Sequence, residues 1–426
     1  MNMNKFLLLL ALPTIGFSLS LQEMVVKSVD TNPLVKVQQE RQEASQSRLR
    51  QEYAGYLPDL DVFGNIGVEN ADTPSTVDGG ELLNKYDTSI VLKENIFEGF
   101  DTVNGVDAKK AALNSAKSSV EESANSIAQE AVTAYLNMLK TKKLVDIAQD
   151  NVDVHESILV KIKRKVSAGI QRQSMYDQTL SRLEAARSAL LQEQQNYVNS
   201  MVTFKRVSNI VVDANTLEDI HNEEAPYLNQ EEMLKVAMKK NPTVKVNTFN
   251  IEETQYDYKR LASKYYPKVD LQAESKHKKN INGQPGDHDS YAGLVVVNYN
   301  LYRGGEDMAK REENMHIMLE NKERLADAKR LITEQNVIAW NTFEYSKKQI
   351  VHLQNHINAA EKTVQDYYKE YEVGRRSLVD LLNSQLELNS AKNKHIVAFY
   401  AQQQAYYDVL SYSGVLLEKF EIVLEK

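Results

Sequence analysis

The sequence of 426 residues contains no cysteine. Disulfide bonds and a lipid-modified amino-terminal cysteine are therefore both excluded, and an oxidising compartment would not harm the protein. Residues that interrupt helices are also scarce, with 8 prolines and 16 glycines, and there is one tryptophan. Because proline and glycine are the residues that helices tolerate least, long helices are compatible with most of the chain.

Beyond the amino terminus, no stretch approaches the ~18 consecutive apolar residues that a membrane-spanning helix needs. A role in a membrane would therefore have to use β-strands. The one apolar run, residues 6–16, follows Lys5 and precedes the small residues Ser18 and Ser20. This order predicts a secretory signal peptide over residues 1–20, so we expect the mature protein to leave the cytoplasm.

The 51 basic and 59 acidic side chains are interspersed along the chain and give a formal net charge of −8. Nucleic acid is therefore not an expected partner, because its binding needs a concentrated basic surface. The sequence also lacks a phosphate-binding loop, a nucleophile elbow and a cysteine nucleophile. We expect no enzyme activity and no cofactor, and any energy must come from a partner.

Three short motifs occur twice, in the same order, about half the chain apart. They are residues 32–37 and 241–246, residues 57–61 and 266–270, and residues 95–99 and 300–304. An ordered return of this kind indicates an internal duplication. We predict a first structural repeat over residues 21–230 and a second over residues 231–426, each with a helix, two strands and a long helical hairpin.

Long polar segments predict the helices, at 34–56, 101–168, 172–207, 230–265, 305–372 and 377–418. From Val120 to Val166, apolar residues recur at alternating steps of four and three for more than six heptads, with interruptions only at Thr141 and His155. This is the coiled-coil period, and the whole segment would be about 100 Å long. Glycines near 169 and 374 are expected to end the helices and fold each half into an antiparallel hairpin.

Between the helices, the period of the apolar residues changes to two. Strands are predicted near 58–70, 86–97, 267–276 and 291–302, with lipid on one side and water on the other. Polar loops over 71–84 and 276–290 would connect them. Aromatic residues collect near the strand ends, as in a membrane girdle, although tyrosine also favours strands and helix ends in general. These aromatics are Tyr53, Tyr56, Tyr86, Phe97, Tyr265, Tyr266, Tyr299 and Tyr302.

Four strands cannot close a barrel, and lipid does not tolerate an open sheet edge. The chain must therefore form oligomers if it spans a membrane. Two copies would give eight strands with an interior filled by side chains, whereas three copies would give twelve strands around water. We therefore expect a homotrimer with a shared pore.

The duplicated halves, the strand ends at 95–99 and 300–305 and the turn at 371–382 together resemble the TolC-type outer-membrane efflux protein family. The resemblance covers essentially all of the mature chain. It implies a mainly α-helical fold with a membrane β-barrel, in which a 12-stranded trimeric barrel in the outer membrane continues into a long periplasmic helical tunnel. Members bind a periplasmic adaptor and an inner-membrane transporter of the ABC or RND class. They export drugs, small molecules or whole polypeptides, and the sequence does not separate efflux from type I secretion.

The resemblance also implies a gate at the periplasmic tips of the hairpins. Tyr371 and Arg376 resemble clasp residues of the second-half turn, and Asp177 of the first-half turn resembles their acceptor. A bond between guanidinium and carboxylate suits a latch because it is directional and can be replaced by other contacts. The alternative is that these are solvated tip residues worth less than ~1 kcal/mol each.

Asp380 resembles the residue that forms an acidic ring at the pore constriction when three copies assemble. Such a ring should favour cations. One turn later the family often has a second acid, but this chain has Asn383, so a weaker charge is expected. The alternative for Asp380 is a helix amino cap near Ser377.

His352 and His356 have the i, i+4 spacing of two metal ligands, but no third ligand is evident, so no metal is expected. Trp340 is expected to pack between helices.

Two rival functions remain, a coiled-coil scaffold without a pore in the periplasm or at the surface, and an adaptor protein. A scaffold would not explain the four strands, and adaptors usually have an inner-membrane anchor and a compact β-rich domain. Residues 208–230 are predicted to form an irregular belt.

Overall fold

The computed structural model describes residues 18–74, 76 and 80–424. Nearly all of the predicted signal peptide, residues 1–20, therefore lies outside the described residues. The first half contains helices α1 (Leu21–Thr31) and α2 (Pro33–Tyr53), strands β1 (Asp59–Asn70) and β2 (Leu82–Phe97), and helices α3 (Asp101–Ser167) and α4 (Gln173–Ser208). The second half repeats this order with α5 (Gln230–Lys240), α6 (Pro242–Arg260), β3 (Lys268–Ile281), β4 (Gln284–Asn298), α7 (Glu306–Glu372) and α8 (Leu378–Tyr412). A short helix, α9 (Leu416–Lys419), follows.

This order of elements confirms the predicted fold class, a mainly helical chain with duplicated halves and four strands. None of the described helices is both long enough and apolar enough to cross a membrane. The chain divides into two compact units. The sheet unit consists of Gln38–Val120 and Pro242–Lys329, and the helical unit consists of the chain up to Val37, Glu121–Asn241 and the chain from Arg330.

Each half begins with two helices where the sequence predicted one, so the predicted single helix over 230–265 is wrong. The breaks fall at Asn32-Pro33 and Asn241-Pro242, where both asparagines have ψ near 126°. A proline clashes with a helical residue before it but suits the first position of the next helix. The repeated asparagine-proline motif is therefore a helix boundary in both halves. Helix α1, which precedes this motif in the first half, was not predicted.

The predicted loop over 276–290 is also wrong, because β3 and β4 continue through it. They are joined at Asn282 and Gly283, whose φ angles are 52° and 74°, as in the tight turns that connect two twisted strands. Charged residues near this turn face each other across the two strands, and Nδ1 of His277 is 2.6 Å from Oδ1 of Asp289. Opposite charges in facing positions stabilise paired strands, so a polar composition did not mean a loop here. In addition, β2 begins four residues before the predicted strand, and β4 ends at Asn298.

The four strands form one antiparallel sheet in the order β1-β2-β3-β4. Among the described residues, β1 and β4 each pair with a single neighbouring strand. The register places apolar side chains on one face, where Ile66 of β1 is 78% exposed. The other face carries ion pairs, with Nζ of Lys85 2.9 Å from Oε1 of Glu69. The sheet therefore has an exposed apolar face, a charged face and two edges with one partner each.

The core of the helical unit surrounds Tyr135, Phe204 and Phe343, all of which are buried. Residues 208–230, which the sequence predicted to be irregular, contain a short 3₁₀ turn at Ala214–Thr216 and pack against this core. Here the hydroxyl of Tyr135 lies 2.8 Å from the backbone carbonyl oxygens of both Leu19 and Glu218, so its one proton is shared between them. This belt is therefore an integral part of the helical unit.

Two further contacts in the helical unit involve aromatic residues. Trp340 packs against a small cluster around Met233, Ala339 and Val409, in agreement with the predicted packing role. After α9, the ring of Phe420 stacks on Tyr407 with centroids 5.8 Å apart. This stacking anchors the end of the described chain to α8.

Candidate functional site at the hairpin tips

The two hairpin turns have the same backbone structure. Gly169 and Gly374 adopt the left-handed conformation, with φ angles of 69° and 75°. The amide after each glycine donates to the carbonyl oxygen five residues earlier at 2.8 Å, from Ile170 to Lys165 and from Arg375 to Glu370. The glycine amides donate to Val166 and Tyr371. This pattern is the Schellman motif, in which glycine avoids the strain that a side chain would cause. Both turns are therefore fixed by local hydrogen bonds.

Helix α8 begins directly after the second turn. Oγ of Ser377 accepts a hydrogen bond from the backbone N of Asp380 at 3.1 Å, so Ser377 rather than Asp380 caps the helix. The carboxylate of Asp380 lies in the first turn of α8, where a negative charge interacts favourably with the helix dipole.

An apolar cluster, which we call the tip core, joins the two hairpins of the chain. Its buried members are Ile158 and Ile162 of α3, Tyr371 of α7, and Leu378, Leu381 and Leu382 of α8. Partly buried aromatic residues, including Tyr367 and Tyr368, pack against it. The polar residues at the tips therefore lie next to a packed apolar cluster to which both hairpins contribute.

Arg376 is held by residues of its own hairpin. Its Nε donates to Oε2 of Glu370 at 2.8 Å, and its guanidinium carbon lies 4.0 Å from the centroid of the Tyr367 ring. The predicted acceptor, Asp177, is exposed and accepts a hydrogen bond from Nε2 of Gln173 at 3.1 Å. Within the described part of this chain, Arg376 and Asp177 form no salt bridge. A single chain therefore does not bring the predicted clasp pair together.

Tyr371, the other predicted clasp residue, is 9% exposed and belongs to the tip core. Its hydroxyl group is buried and has no hydrogen-bond partner among the described residues. Nζ of Lys165 lies 4.6 Å from the centroid of its ring. Burial raises the pKa of Tyr371 above its usual value, so the hydroxyl keeps its proton and can donate it to an acceptor.

Asn383 and Asp380, the predicted constriction residues, are almost one turn apart on α8. Oδ1 of Asn383 accepts from a terminal nitrogen of Arg182 on α4 at 3.4 Å, which links the two hairpins near the predicted constriction position. Asp380 is partly buried. The predicted ring residue and the position where the family often has a second acid are thus both close to the tip core.

Several residues of the site were not predicted from the sequence. They are Glu370 and Tyr367, which hold Arg376, and Lys161, Lys165 and Arg182, which contact Tyr368, Tyr371 and Asn383. The lysines have a detectable signal, because Lys161 and Lys165 are spaced nearly as Tyr368 and Tyr371 are on a neighbouring helix. Glu370 has no comparable signal, since it is six residues from Arg376 on the other side of a turn.

His352 and His356, which have the spacing of two metal ligands, both lie on α7. Nε2 of His356 lies 3.1 Å from Oε1 of Glu387 on α8. In the described residues, no three potential ligands converge on a position for a metal ion. The contact from His356 links the two helices of its hairpin.

The sequence and the fold of this chain are similar to those of known proteins. A family model described as outer membrane efflux protein matches residues 25–209 and 233–415. The outer membrane efflux protein BepC of Brucella suis is 20% identical over 359 residues, which cover 84% of this chain and 75% of the relative. The CmeC outer membrane channel of Campylobacter jejuni matches with a TM-score of 0.81 at 14% identity, covering 93% of this chain and 86% of that one. The outer membrane protein VceC of Vibrio cholerae matches with a TM-score of 0.80 at 11% identity, covering 92% and 96%.

Proposed function

This chain belongs to the outer membrane efflux protein family, and from that membership we propose how its channel is built, gated and supplied. It is an outer-membrane efflux channel, and the scaffold without a pore is not favoured. Proteins of this family are channels, not enzymes, and they work with an adaptor and an inner-membrane transporter.

Three copies of the chain are proposed to form one 12-stranded barrel. The observation that carries this proposal is the sheet, whose β1 and β4 each have one neighbour in the described chain and whose exposed apolar face suits lipid. Unpaired strand edges are not tolerated in hydrocarbon, so β4 of one copy would pair with β1 of the next. Twelve strands leave room for water and solute, and the charged face would line that space.

The absence of cysteine makes this arrangement directly testable. A variant with Val62→Cys in β1 and Val295→Cys in β4 is treated in the membrane with a short bifunctional thiol reagent. A closed trimer should give covalent species up to three chains, whereas each single-cysteine variant should give two chains at most. A ladder that stops at two chains, or continues beyond three, would contradict the trimer.

The hairpin tips are proposed to act as the periplasmic gate. Asp177 of one copy would accept from Arg376 of a neighbouring copy, since the pair does not meet within one chain. The buried, unpartnered hydroxyl of Tyr371 supports this proposal, because such a group is costly unless another acceptor satisfies it. A clasp made of charged and polar bonds could be exchanged for contacts with an adaptor.

The constriction is proposed to carry Asp380 from each of three copies. Three carboxylates that face a narrow pore attract cations and repel one another. Because Asn383 is neutral, the charge is smaller than in a double acidic ring, and cation block should be weaker.

The chain is proposed to receive cargo from a periplasmic adaptor joined to an inner-membrane transporter of the ABC or RND class. Its own sequence has no phosphate-binding loop, so the transporter would supply the energy. Drugs, other small molecules and secreted polypeptides all remain candidate cargoes. Cross-linking to the adjacent transporter in cells would separate efflux from type I secretion.

The gate proposal is tested by conductance of the purified protein in planar bilayers. Arg376→Gln and Asp177→Asn should each raise single-channel conductance, because each removes one side of the clasp. The matched control is Glu372→Gln, which removes a charge at the same turn from an exposed side chain. Conductance that is unchanged in both clasp variants would contradict the gate.

A further inference from the structure

Arg376 keeps one edge of its guanidinium group free. Its Nε is occupied by Glu370, and one flat face is covered by Tyr367. The two terminal nitrogens have no hydrogen-bond partner among the described residues. These two nitrogens are the pair that can grip both oxygens of a carboxylate in parallel.

The backbone of the turn determines where Glu370 lies relative to Arg376. The carbonyl oxygen of Glu370 accepts from the amide of Arg375 at 2.8 Å, and Gly374 supplies the left-handed residue that the turn requires. Glu370 and Tyr367 are therefore presented to Arg376 by their own hairpin. This arrangement forms without a neighbouring copy.

We propose that Glu370 and Tyr367 are positioning residues for the gate clasp, which orient Arg376 so that its free edge takes one carboxylate from a neighbouring copy. This inference rests on the proposed clasp and adds two residues to it. A free arginine side chain must lose considerable rotamer freedom when it binds a carboxylate. Here an ion pair and a cation-π contact restrict the side chain before the carboxylate arrives, so binding costs less.

The restriction of the Arg376 side chain should have a modest effect, because the side chains of Glu370 and Arg376 are 41% and 34% exposed. Exposed ion pairs are worth at most about a fivefold change in an equilibrium. Glu370→Gln should therefore raise the ratio of open to closed channels about two- to fivefold. That effect should be smaller than the effect of Arg376→Gln, which removes the clasp group itself.

Tyr367 offers a matched pair of variants. Tyr367→Phe keeps the aromatic face and should behave like the wild type, whereas Tyr367→Leu should raise the open ratio. Arg376→Lys should resemble Arg376→Gln, because an ammonium group has neither the planar face nor the fork of donors.

The experiment measures the ratio of open to closed channels and the single-channel conductance of the full chain in planar bilayers. Glu372→Gln is the control, because it changes the charge of the turn by the same amount. The decisive measurement is coupling. Glu370→Gln should have its effect in the wild type and lose it when Arg376→Gln or Asp177→Asn is already present. A merely structural role for Glu370 would persist in both backgrounds. Thermal unfolding and trimer content of each variant confirm that it folds.

Three results would overturn the inference. The first is that Glu370→Gln changes the open ratio no more than Glu372→Gln does. The second is that the effect of Glu370→Gln persists when Arg376→Gln is already present. The third is that Glu370→Gln lowers the open ratio, which would mean that Glu370 competes with the clasp for Arg376. In each of these cases the clasp itself survives if Arg376→Gln and Asp177→Asn still open the channel. If those two variants have no effect either, the proposed clasp has failed and the inference fails with it.

Discussion

Leu381 is the residue whose replacement should loosen the tips most clearly without touching a charge. It is 1% exposed and belongs to the tip core, which also contains Tyr371 of its own hairpin and Ile158 and Ile162 of α3. We predict that Leu381→Ala raises single-channel conductance, because it weakens the packing that holds the two hairpins of a chain together.

The size of the effect follows from the location of Leu381. Replacing a fully buried leucine by alanine costs about 2–5 kcal/mol of unfolding free energy. The part of this packing that lies inside the α7–α8 hairpin is retained when the hairpins separate. If about one third lies against α3, the contact between hairpins loses about 1 kcal/mol, which is about a fivefold change in the ratio of separated to packed tips.

The assay is conductance in planar bilayers, with trimer content and thermal unfolding measured on the same preparations. Leu386→Ala is the matched control, since Leu386 lies on the same helix but is 53% exposed. The control should leave conductance unchanged. If Leu381→Ala forms trimers of lower thermal stability but conducts as the wild type does, the tip core does not restrain the gate.

Three further predictions concern the helical unit. Burial raises the pKa of the Asp408 carboxyl group, although the hydrogen-bond donors Gln129 and Gln404 act against this shift. The contribution of this group to folding stability is therefore present at acid pH and is lost as pH rises through the folded pKa. Asp408→Asn should raise the melting temperature at pH 7.5 and have little effect near pH 4. Burial is the main cause that lowers the pKa of His155, and the charge of Arg182 lowers it further. The stability of the protein should therefore fall as pH falls through the folded pKa. His155→Leu should reduce the loss of melting temperature between about pH 7 and pH 5. Tyr135→Phe removes a donor shared by two backbone carbonyl oxygens and should cost about 1–2 kcal/mol in denaturant unfolding.

The heptad period predicted the long helices well because most of its apolar positions are buried against a neighbour. Helix α3 spans Asp101–Ser167, against a prediction of 101–168. The same reasoning failed over 230–265, where the pattern continues through Asn241-Pro242 although the backbone cannot. Periodicity indicates which residues share a face, but it contains no information on the conformation of one residue before a proline.

The strands show the opposite kind of failure. A loop was predicted over 276–290 because the segment is polar and contains the turn residues Asn282-Gly283 and Gln284-Pro285-Gly286. In the structure residues of this segment face each other across β3 and β4, and Lys279 lies opposite Asp287. The information is in the pairing of two segments, and a single segment taken alone does not contain it.

The site divides in the same way into a part that backbone chemistry determines and a part that side-chain reach determines. Gly169 and Gly374 could be located from the sequence because a left-handed turn favours glycine. The partner of Arg376 could not, because a long side chain can reach several acids around a turn, and only the folded turn selects Glu370. The apolar tip core is stronger than any one exposed ion pair. We therefore expect the polar contacts between copies to break first when the gate opens, and the packing between the two hairpins of a chain to loosen after them.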